Sequence, residues 1–299
     1  MLILTGKLEL YRIFCQVAKY CSFSKAAKTL YLSQPAVSQS VKQLEEQLGV
    51  KLFARGSKGV TLTKQGTLLY EYAVSAMGLI ESAEQKLFSM KELNGGELRI
   101  GAGDAIIKNL LLPHLEHFHK LYPQIHLSIH NRTSQGSIDL LQSGIIDIAF
   151  VNLPLEGDLM RIHHTFNIHD VFVASNRFAH LKGKKLSLQE ISRQPLILLE
   201  RDSNTRKFIE SFFLERGVPI SPEIELASYE LLQDFAKIDL GISCVVREFS
   251  GESLKNGDLF EVEINPPLPE RCIAMVSLKN VSMTPAASHL LDIITSQSL

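Results

Sequence analysis

The chain has 299 residues, of which 45% are hydrophobic and 21% are charged. That length favours two or three domains, and the composition is ordinary for a globular protein. No apolar run is long enough to predict a transmembrane helix, and the first residues lack the charged start and apolar stretch of a signal peptide. The four cysteines form no CxxC pair, so we expect no zinc site or disulfide framework, and a reducing, cytoplasmic setting.

Charge is distributed unevenly along the chain. Residues 1–66 hold ten Lys or Arg and three Glu, a net charge of +7, which leaves −8 for the remainder of a chain whose total is −1. A basic segment on an acidic body indicates that only the first segment contacts a polyanion such as DNA. A chance excess of lysine in an unrelated domain is the alternative, and charge alone does not decide between them.

The basic segment carries the pattern of three short helices. Apolar spacing predicts a helix over 8–20 and a second over 25–30. Ser33 is a good N-cap for a third helix that runs from about Gln34 to Leu48 and ends at Gly49. An inward stripe on this third helix is formed by Val37, Val41, Leu44 and Leu48.

The outward face of the third helix is polar. Its Ser and Gln side chains can hydrogen bond to base edges in a major groove, and Lys42 can attract a phosphate. For an isolated helix, a merely solvated face would be the commoner explanation. Two short strands over 51–55 and 60–63 follow, joined by a basic turn, and predict a wing that touches phosphates or a minor groove. The predicted DNA-contacting residues are Ser33, Gln34, Pro35, Ser38, Gln39, Lys42, Arg55 and Lys58.

Four motifs in this segment belong together. They are FSKAA at 23–27, SQPAVS at 33–38, LExxLGxxLFxR at 44–55 and TLTxxG at 61–66. In combination they resemble the DNA-binding domain of LysR-type transcription regulators, almost without gaps. The resemblance implies a winged helix-turn-helix that binds double-stranded DNA at an operator with two half-sites. Gln39-Ser40 departs from the family, since many relatives have a basic residue there.

Residues 66–92 predict one long helix. Leu69, Ala73, Ala76, Ile80, Ala83, Leu87 and Met90 step by four and three, which is coiled-coil spacing. A helix packed on its own domain is the alternative. The resemblance implies instead that this linker helix joins two copies of the chain, as a homodimer or as a homotetramer made of two dimers. Asn94-Gly95-Gly96 then breaks the helix.

From residue 97, predicted strands and helices alternate. One βαβαβ set covers 97–151 and a second covers 171–246, while a strand over 272–277 and a helix over 286–295 return to the first set. Two such α/β lobes resemble the periplasmic-binding-protein-like sensor of the same family. The expected domains are 1–66 (winged helix-turn-helix), 67–94 (linker helix) and 95–299 (effector domain), with lobe I over about 95–162 and 267–299 and lobe II over about 163–266.

In α/β lobes, ligands lie at the carboxyl ends of strands, where helix N-termini offer free N–H groups. We therefore expect a small-molecule effector, a metabolite with a single carboxylate, with Asp104 facing a hydroxyl or amino group. Asp104 and Ser203 as simple helix caps are the alternative. The predicted effector-binding residues are Gly103, Asp104, Ala105, Thr133, Ser134, Phe150, Ser203 and Thr205.

Motifs of catalysis are missing from the sequence. GxxxxGK[ST], GxSxG, HExxH and GxGxxG do not occur, so we expect no enzyme activity, cofactor or metal. His114 and His117 lack an acidic or cysteine partner, and Cys244 with Cys272 is less favoured as a redox pair than as buried structural thiols. The sequence predicts a ligand-responsive transcription regulator. An enzyme with a DNA-binding appendage and an architectural DNA-binding protein are the alternatives.

Overall fold

The computed structural model describes residues 7–56, 59–91, 96–155 and 157–296. The chain divides into two compact units, one of residues 1–91 with 142–145 and one of residues 92–141 with 146–299. In the described part of the chain, no helix is long and apolar enough to span a bilayer.

The described residues of the first unit form a winged helix-turn-helix followed by a long helix. Its elements are α1 (Leu8–Tyr20), α2 (Phe23–Leu30), α3 (Gln34–Leu48), the antiparallel strands β1 (Phe53–Gly56) and β2 (Gly59–Leu62), and α4 (Lys64–Lys91).

Local signals explain where these helices start and stop. Ser22 and Ser33 each accept a backbone N–H three residues on, at 3.3 Å, and so cap α2 and α3. Cys21 and Tyr31 have φ of 48° and 55°, the left-handed region that ends α1 and α2. The ring of Phe14 on α1 lies 5.4 Å from that of Phe53, which joins the helices to the wing in one core.

The TLTxxG motif fixes the start of α4 against the wing. Thr63 Oγ1 donates to the carbonyl oxygen of Lys51 at 2.6 Å and accepts the N–H of Gly66 at 3.0 Å. A Cβ atom on Gly66 would lie 2.0 Å from the carbonyl oxygen of Leu52, so the close approach requires glycine.

The second unit holds two α/β lobes. Its first stretch comprises β3 (Glu97–Ala102), α5 (Asp104–Ile106), a π-helical segment (Ile107–Leu111), α6 (Leu112–Leu121), β4 (His126–Asn131), α7 (Ser134–Gln142), β5 (Ile148–Asn152) and β6 (Met160–Ile168). Then follow β7 (Asp170–Ala174), β8 (Lys185–Ser187), α8 (Leu188–Ser192), β9 (Leu196–Leu199), α9 (Asn204–Leu214), β10 (Ile224–Leu226), α10 (Tyr229–Lys237), β11 (Ile242–Val246), α11 (Gly251–Lys255), β12 (Phe260–Asn265), β13 (Arg271–Leu278) and α12 (Pro285–Ser296).

Each lobe is organised around one mixed sheet. In the first lobe the strand order is β4-β3-β5-β13-β6, with β3 parallel to both of its neighbours and β13 antiparallel to both of its own. In the second lobe the order is β10-β9-β11-β7-β12-β8. Parallel pairing of β9 with β10 and β11 directs the carboxyl ends of these strands to one edge of the sheet.

Strand β6 departs from the sequence expectation. It pairs with β13 as far as Ile168, so residues 163–168 lie in the first lobe's sheet, whereas the sequence analysis placed the start of lobe II at 163. β6 is an edge strand that carries His163, His164 and Thr165, and its mostly half-exposed residues give no buried-strand signal. The chain crosses to the second lobe at His169 and returns over 266–270.

Candidate nucleic-acid interface and ligand cleft

The N-terminal end of α3 presents exposed polar side chains. Ser33 Oγ is occupied as the helix cap, accepting the N–H of Ala36. Gln34 is exposed, and its Oε1 accepts a hydrogen bond from Ser24 Oγ at 3.2 Å, which orients the amide group. Pro35 and Gln39 are exposed and Ser38 is half-buried. These side chains form a polar surface that offers donors and acceptors to a groove.

Lys42 extends this surface toward the middle of α3. Its side chain is 72% exposed, and Nζ lies 3.6 Å from Glu46 one helical turn on. An exposed pair of this kind contributes little stability, so Lys42 can exchange Glu46 for a phosphate at small cost. Arg55 lies in β1 opposite Val60, its side chain is not described, and Lys58 lies outside the described residues.

Glu45 ties α3 to the wing. Its buried carboxylate accepts the N–H groups of Leu52 and Phe53 at 2.8 and 3.3 Å and the ammonium of Lys51 at 2.7 Å. Burial raises the pKa of this carboxyl, but the hydrogen bonds from Lys51 and the two backbone groups outweigh burial, so the pKa lies below its usual value. The ionised carboxylate therefore holds β1 in place beside α3.

The turn between α2 and α3 carries a residue that sequence reasoning missed. Tyr31 is 96% exposed and in the left-handed region, at the end of α2 and two residues before the N-cap of α3. The sequence analysis assigned a cap and a DNA contact to Ser33 in this turn but no role to Tyr31. The signal available in the sequence was an aromatic residue with a polar hydroxyl beside a polar helix end.

The predicted coiled-coil stripe lies on α4. Ala73 is buried and Leu69 half-buried against the helix-turn-helix, whereas Ile80 and Leu87 are 38% and 62% exposed within a single chain. The side chain of Met90 is not described. The second half of the stripe thus presents apolar side chains to solvent, as expected of a helix that pairs with another copy.

A cleft of about 230 Å³ lies between the two lobes of the second unit. Seven of the eight residues that the sequence predicted for the effector line it: Gly103, Asp104, Ala105, Thr133, Ser134, Ser203 and Thr205. Phe150 does not line it and is fully buried in the core. The cleft is also lined by Asp202 and Asn204, the neighbours of Ser203 in the predicted segment, and by residues that the prediction did not include: Ile106, Asn131, Arg132, Asn152, Leu199, Glu200, Ala227 and Tyr229.

Two helix N-termini from opposite lobes reach this cleft. Thr133 Oγ1 accepts the N–H of Gly136 at 3.2 Å, so this hydroxyl already caps the start of α7. Ser203 holds the N-cap position of α9 but, among the described residues, its side chain makes no capping hydrogen bond. Asp104 Oδ1 accepts the N–H of Ala105 at 2.9 Å. The Ser203 hydroxyl, unlike that of Thr133, is therefore not engaged in capping its helix.

The charges of the lining are mixed. Asp104, Glu200 and Asp202 contribute carboxylates, and Arg132 contributes a guanidinium whose Nη1 also donates to the carbonyl oxygen of Asn131 at 2.7 Å. Backbone N–H groups at the starts of α7 and α9 add partial positive charge. The cleft can therefore bind a small molecule that carries both an anionic and a cationic or hydroxyl group.

Hydrogen bonds behind the lining hold several of these side chains in place. Ser134 Oγ accepts the backbone N–H and the side-chain amide of Asn152 at 3.0 and 3.4 Å. Thr205 Oγ1 accepts Nη2 of Arg271 at 3.3 Å. The hydroxyl of Tyr229 accepts the N–H of Val246 at 2.6 Å, and burial raises the pKa of this phenol. Asn152, Arg271 and Tyr229 were missed by the sequence analysis.

Cysteine and metal chemistry receive no support from the described residues. Cys244 is buried in β11, and burial raises its thiol pKa well above the usual value, which disfavours the reactive thiolate. Cys272 Sγ contacts Asn167 Oδ1 at 3.4 Å. Within the described ranges, no group of three or more His, Cys, Asp or Glu residues is arranged to hold a metal ion.

Comparison with known proteins gives matches to both halves of the chain. The family model "Bacterial regulatory helix-turn-helix protein, lysR family" matches residues 8–67, and "LysR substrate binding domain" matches residues 91–298. The HTH-type transcriptional regulator CfxR of Cupriavidus necator is 30% identical over 277 residues, 92% of this chain and 87% of the relative. The HTH-type transcriptional activator CmpR of Synechocystis sp. is 29% identical over 239 residues, 79% of this chain and 77% of the relative.

Two solved structures share the fold along nearly the whole chain. Full-length OxyR from Pseudomonas aeruginosa gives a TM-score of 0.67 at 21% identity, covering 97% of this chain and 94% of the other. Full-length CbnR in complex with its target DNA gives a TM-score of 0.65 at 18% identity, covering 97% and 99%.

Proposed function

This chain belongs to the LysR family of transcription regulators, and from that premise we propose which of its surfaces binds what: α3 and the wing bind operator DNA, α4 joins copies of the chain, and the interlobe cleft binds a small effector. The observation that carries the proposal is the convergence of seven sequence-predicted polar or small residues on one cleft, in a chain whose N-terminal unit is a winged helix-turn-helix.

The DNA surface consists of α3 and the wing. Gln34, Ser38 and Gln39 face base edges, while Ser33 and Pro35 set the start of the helix. Lys42 contacts phosphates, as do Arg55 and Lys58 on the wing. The +7 charge of residues 1–66 supports this assignment, because phosphate attraction supplies most of the sequence-independent affinity for DNA.

Oligomerisation is assigned to α4. The exposed stripe around Ile80 and Leu87 buries its apolar surface when two copies pair. A symmetric pair places two recognition helices on two half-sites, so the operator is expected to have twofold symmetry. A homotetramer made of two such dimers is the alternative assembly.

The effector is a small amino- or hydroxy-carboxylic acid. A cleft of about 230 Å³ lies below the roughly 300–1,000 Å³ typical of drug-sized ligands, which limits the size of the effector. A carboxylate fits the N-terminal N–H groups of α7 and α9, with Ser203 as the free hydroxyl donor. Asp104 and its acidic neighbours then face an ammonium or hydroxyl group, because a second carboxylate there would be repelled.

Binding in the cleft is proposed to proceed without turnover, since the named relatives are transcription regulators. The site of action is then the cytoplasm, where a bacterial chromosome is found. Incubation of the chain with mixed metabolites, followed by mass spectrometry, tests this assignment. Conversion of any metabolite would favour the enzyme alternative.

Two measurements test the proposal as a whole. Genome-wide mapping of bound sites should yield a recurring motif of two symmetric half-sites upstream of genes. Thermal unfolding of the full chain with individual amino and hydroxy acids should show a rise in Tm for the effector, because a ligand that binds only the folded state stabilises it. Binding without sequence preference, together with no shift for any acid, would instead support an architectural protein.

A further inference from the structure

The two residues that follow the lobe crossovers form a buried ion pair. Asp170 is the first residue of β7 in the second lobe, and Arg271 is the first residue of β13 in the first lobe. Arg271 Nε and Nη2 donate to the two carboxylate oxygens of Asp170 at 2.5 and 2.8 Å. The side chains are 5% and 0% exposed. The pair therefore joins the lobes at the place where the chain passes between them.

The remaining donors of Arg271 reach one residue from each lobe. Nη1 donates to Asn152 Oδ1 at 3.1 Å, at the end of β5 in the first lobe. Nη2 donates to Thr205 Oγ1 at 3.3 Å, in the first turn of α9 in the second lobe. Both residues line the cleft, and Asn152 in turn donates to Ser134. The guanidinium also lies 4.9 Å from the ring centre of Phe208.

We propose that Arg271 is the positioning residue of the ligand cleft: one guanidinium, held by Asp170, sets the orientation of cleft residues on both lobes. The inference rests on the proposed function of the cleft as the effector site. Arg271 does not line that cleft itself, so it acts through Asn152 and Thr205. An effector that draws Thr205 or Ser134 toward itself changes the acceptors of Arg271, and both lobes respond to that change.

Arginine is required by this geometry. Its planar fork presents donors in fixed directions, so it can hold Asp170 in a bidentate pair while also reaching Asn152 and Thr205. A lysine ammonium is a point charge that cannot match all three acceptors at once. A buried ion pair is often no more stabilising than apolar packing, because desolvation offsets the attraction. Stabilisation is therefore a weak explanation for the Asp170–Arg271 pair. The location of this pair between the lobes indicates that it orients the residues of the cleft.

Amide hydrogen exchange of the full chain without effector tests the proposal. In Arg271→Lys, segments 131–135 and 202–206 should exchange on the order of tenfold faster, since Thr205 loses its hydrogen bond to the guanidinium and Ser134 loses the support of an Asn152 held by it. Asp170→Asn should reproduce this pattern although Asp170 does not line the cleft. Thr205→Val should affect 202–206 but not 131–135, and it carries the test if Arg271→Lys does not fold.

Arg247→Lys is the matched control. Arg247 forms a similar bidentate pair with Glu261 at 2.7 and 2.8 Å, but it is half-exposed and does not line the cleft. In the Arg247→Lys variant, segments 131–135 and 202–206 should exchange at the parent rate. Faster exchange confined to β7 and β13 in the Arg271 and Asp170 variants would overturn the proposal in favour of a purely structural pair. Failure of the effector assignment would appear separately, as an absent thermal shift in the parent chain.

Discussion

Glu45 Oε1 accepts the backbone N–H of Leu52 at 2.8 Å and thereby links α3 to the residue that directly precedes the first strand of the wing. The carboxylate is nearly buried and also pairs with Lys51, so one ionised group contributes three hydrogen bonds between α3 and residues 51–53. A neutral side chain could not satisfy Lys51 and two backbone donors equally well.

Glu45→Gln should lower the free energy of unfolding by about 1–3 kcal/mol, because it weakens charge-assisted hydrogen bonds in a buried site. The folded-state pKa of Glu45 lies below its ordinary value, so its stabilisation is complete above that value and is lost as the pH falls through the folded pKa. Urea unfolding at neutral and acidic pH measures both effects. Glu46→Gln, in an exposed pair, is the control, and equal losses in the two variants would contradict the prediction.

DNA titrations should distinguish contacts to phosphates, which set the overall affinity, from contacts to base edges, which set the sequence preference. Lys42→Ala should weaken binding to every sequence and reduce the salt slope by roughly one unit, as expected for one phosphate contact. Gln34→Ala or Ser38→Ala should instead relax preference at single base pairs by about 1–3 kcal/mol. Fluorescence anisotropy with operator variants at several salt concentrations measures these effects. If the Gln34 and Ser38 variants discriminate between bases as the parent does, the reading face lies elsewhere.

Tyr31 should contact the DNA backbone. Its position before α3 suits a hydroxyl-to-phosphate hydrogen bond, so Tyr31→Phe should weaken operator and random DNA alike, by about 1 kcal/mol. Stability should not change, because the ring is 96% exposed in the free chain. Tyr72 is also exposed but lies on α4, away from this turn in the sequence, so Tyr72→Phe serves as the control. Unchanged affinity of Tyr31→Phe for both DNAs would remove this residue from the interface.

Assembly should depend on the exposed stripe of α4. Ile80→Glu or Leu87→Glu places a charge in an apolar seam, where it cannot be desolvated without large cost, so both variants should become monomeric. Specific operator binding should then fall much further than non-specific binding. Light scattering measures the mass, with Glu84→Lys as a charge change off the stripe. Intact oligomers in both stripe variants would exclude this helix from the interface.

The effector response should be separable from DNA binding. Ser203→Ala combined with Thr133→Ala should abolish the effector response of a promoter reporter, since a typical coupling of about 1–3 kcal/mol depends on few contacts. Thr133→Ser keeps the α7 cap and is the control for a structural loss. Asp104→Asn should change which acid is accepted. A full response in the double variant would reject the assignment, and lost operator binding without effector would indicate a folding role.

What the sequence could predict was mainly local. Ser33, Pro35 and Gly49 act through neighbours a few residues away, so the bounds of α3 follow from short-range chemistry. The cleft loops could be predicted as well, because a buried strand followed by polar residues and a helix marks the carboxyl edge of an α/β sheet. Phe150 was assigned to the cleft because it was expected near the crossover between the lobes, yet its side chain is buried in the core.

Long-range pairing was not predictable. Arg271 lies 101 residues from Asp170 and 119 from Asn152, and no periodicity in one sequence reports such a contact. The edge strand β6 was missed for a related reason, since its partner β13 is distant in the chain and its polar residues resemble a loop. Tyr31 was overlooked because solvent exposure is a property of the fold and a turn residue has no periodic signature.

Several polar residues of the cleft are exposed at the ends of strands and the starts of helices. Asn131, Thr133, Asp202 and Asn204 lie in solvent-facing segments, whereas β5 and β9 behind them are packed in the core. Substitutions at exposed positions of this kind usually disturb a fold little. The same scaffold can therefore be retuned to new metabolites by a few loop replacements, both in evolution and in the laboratory construction of biosensors.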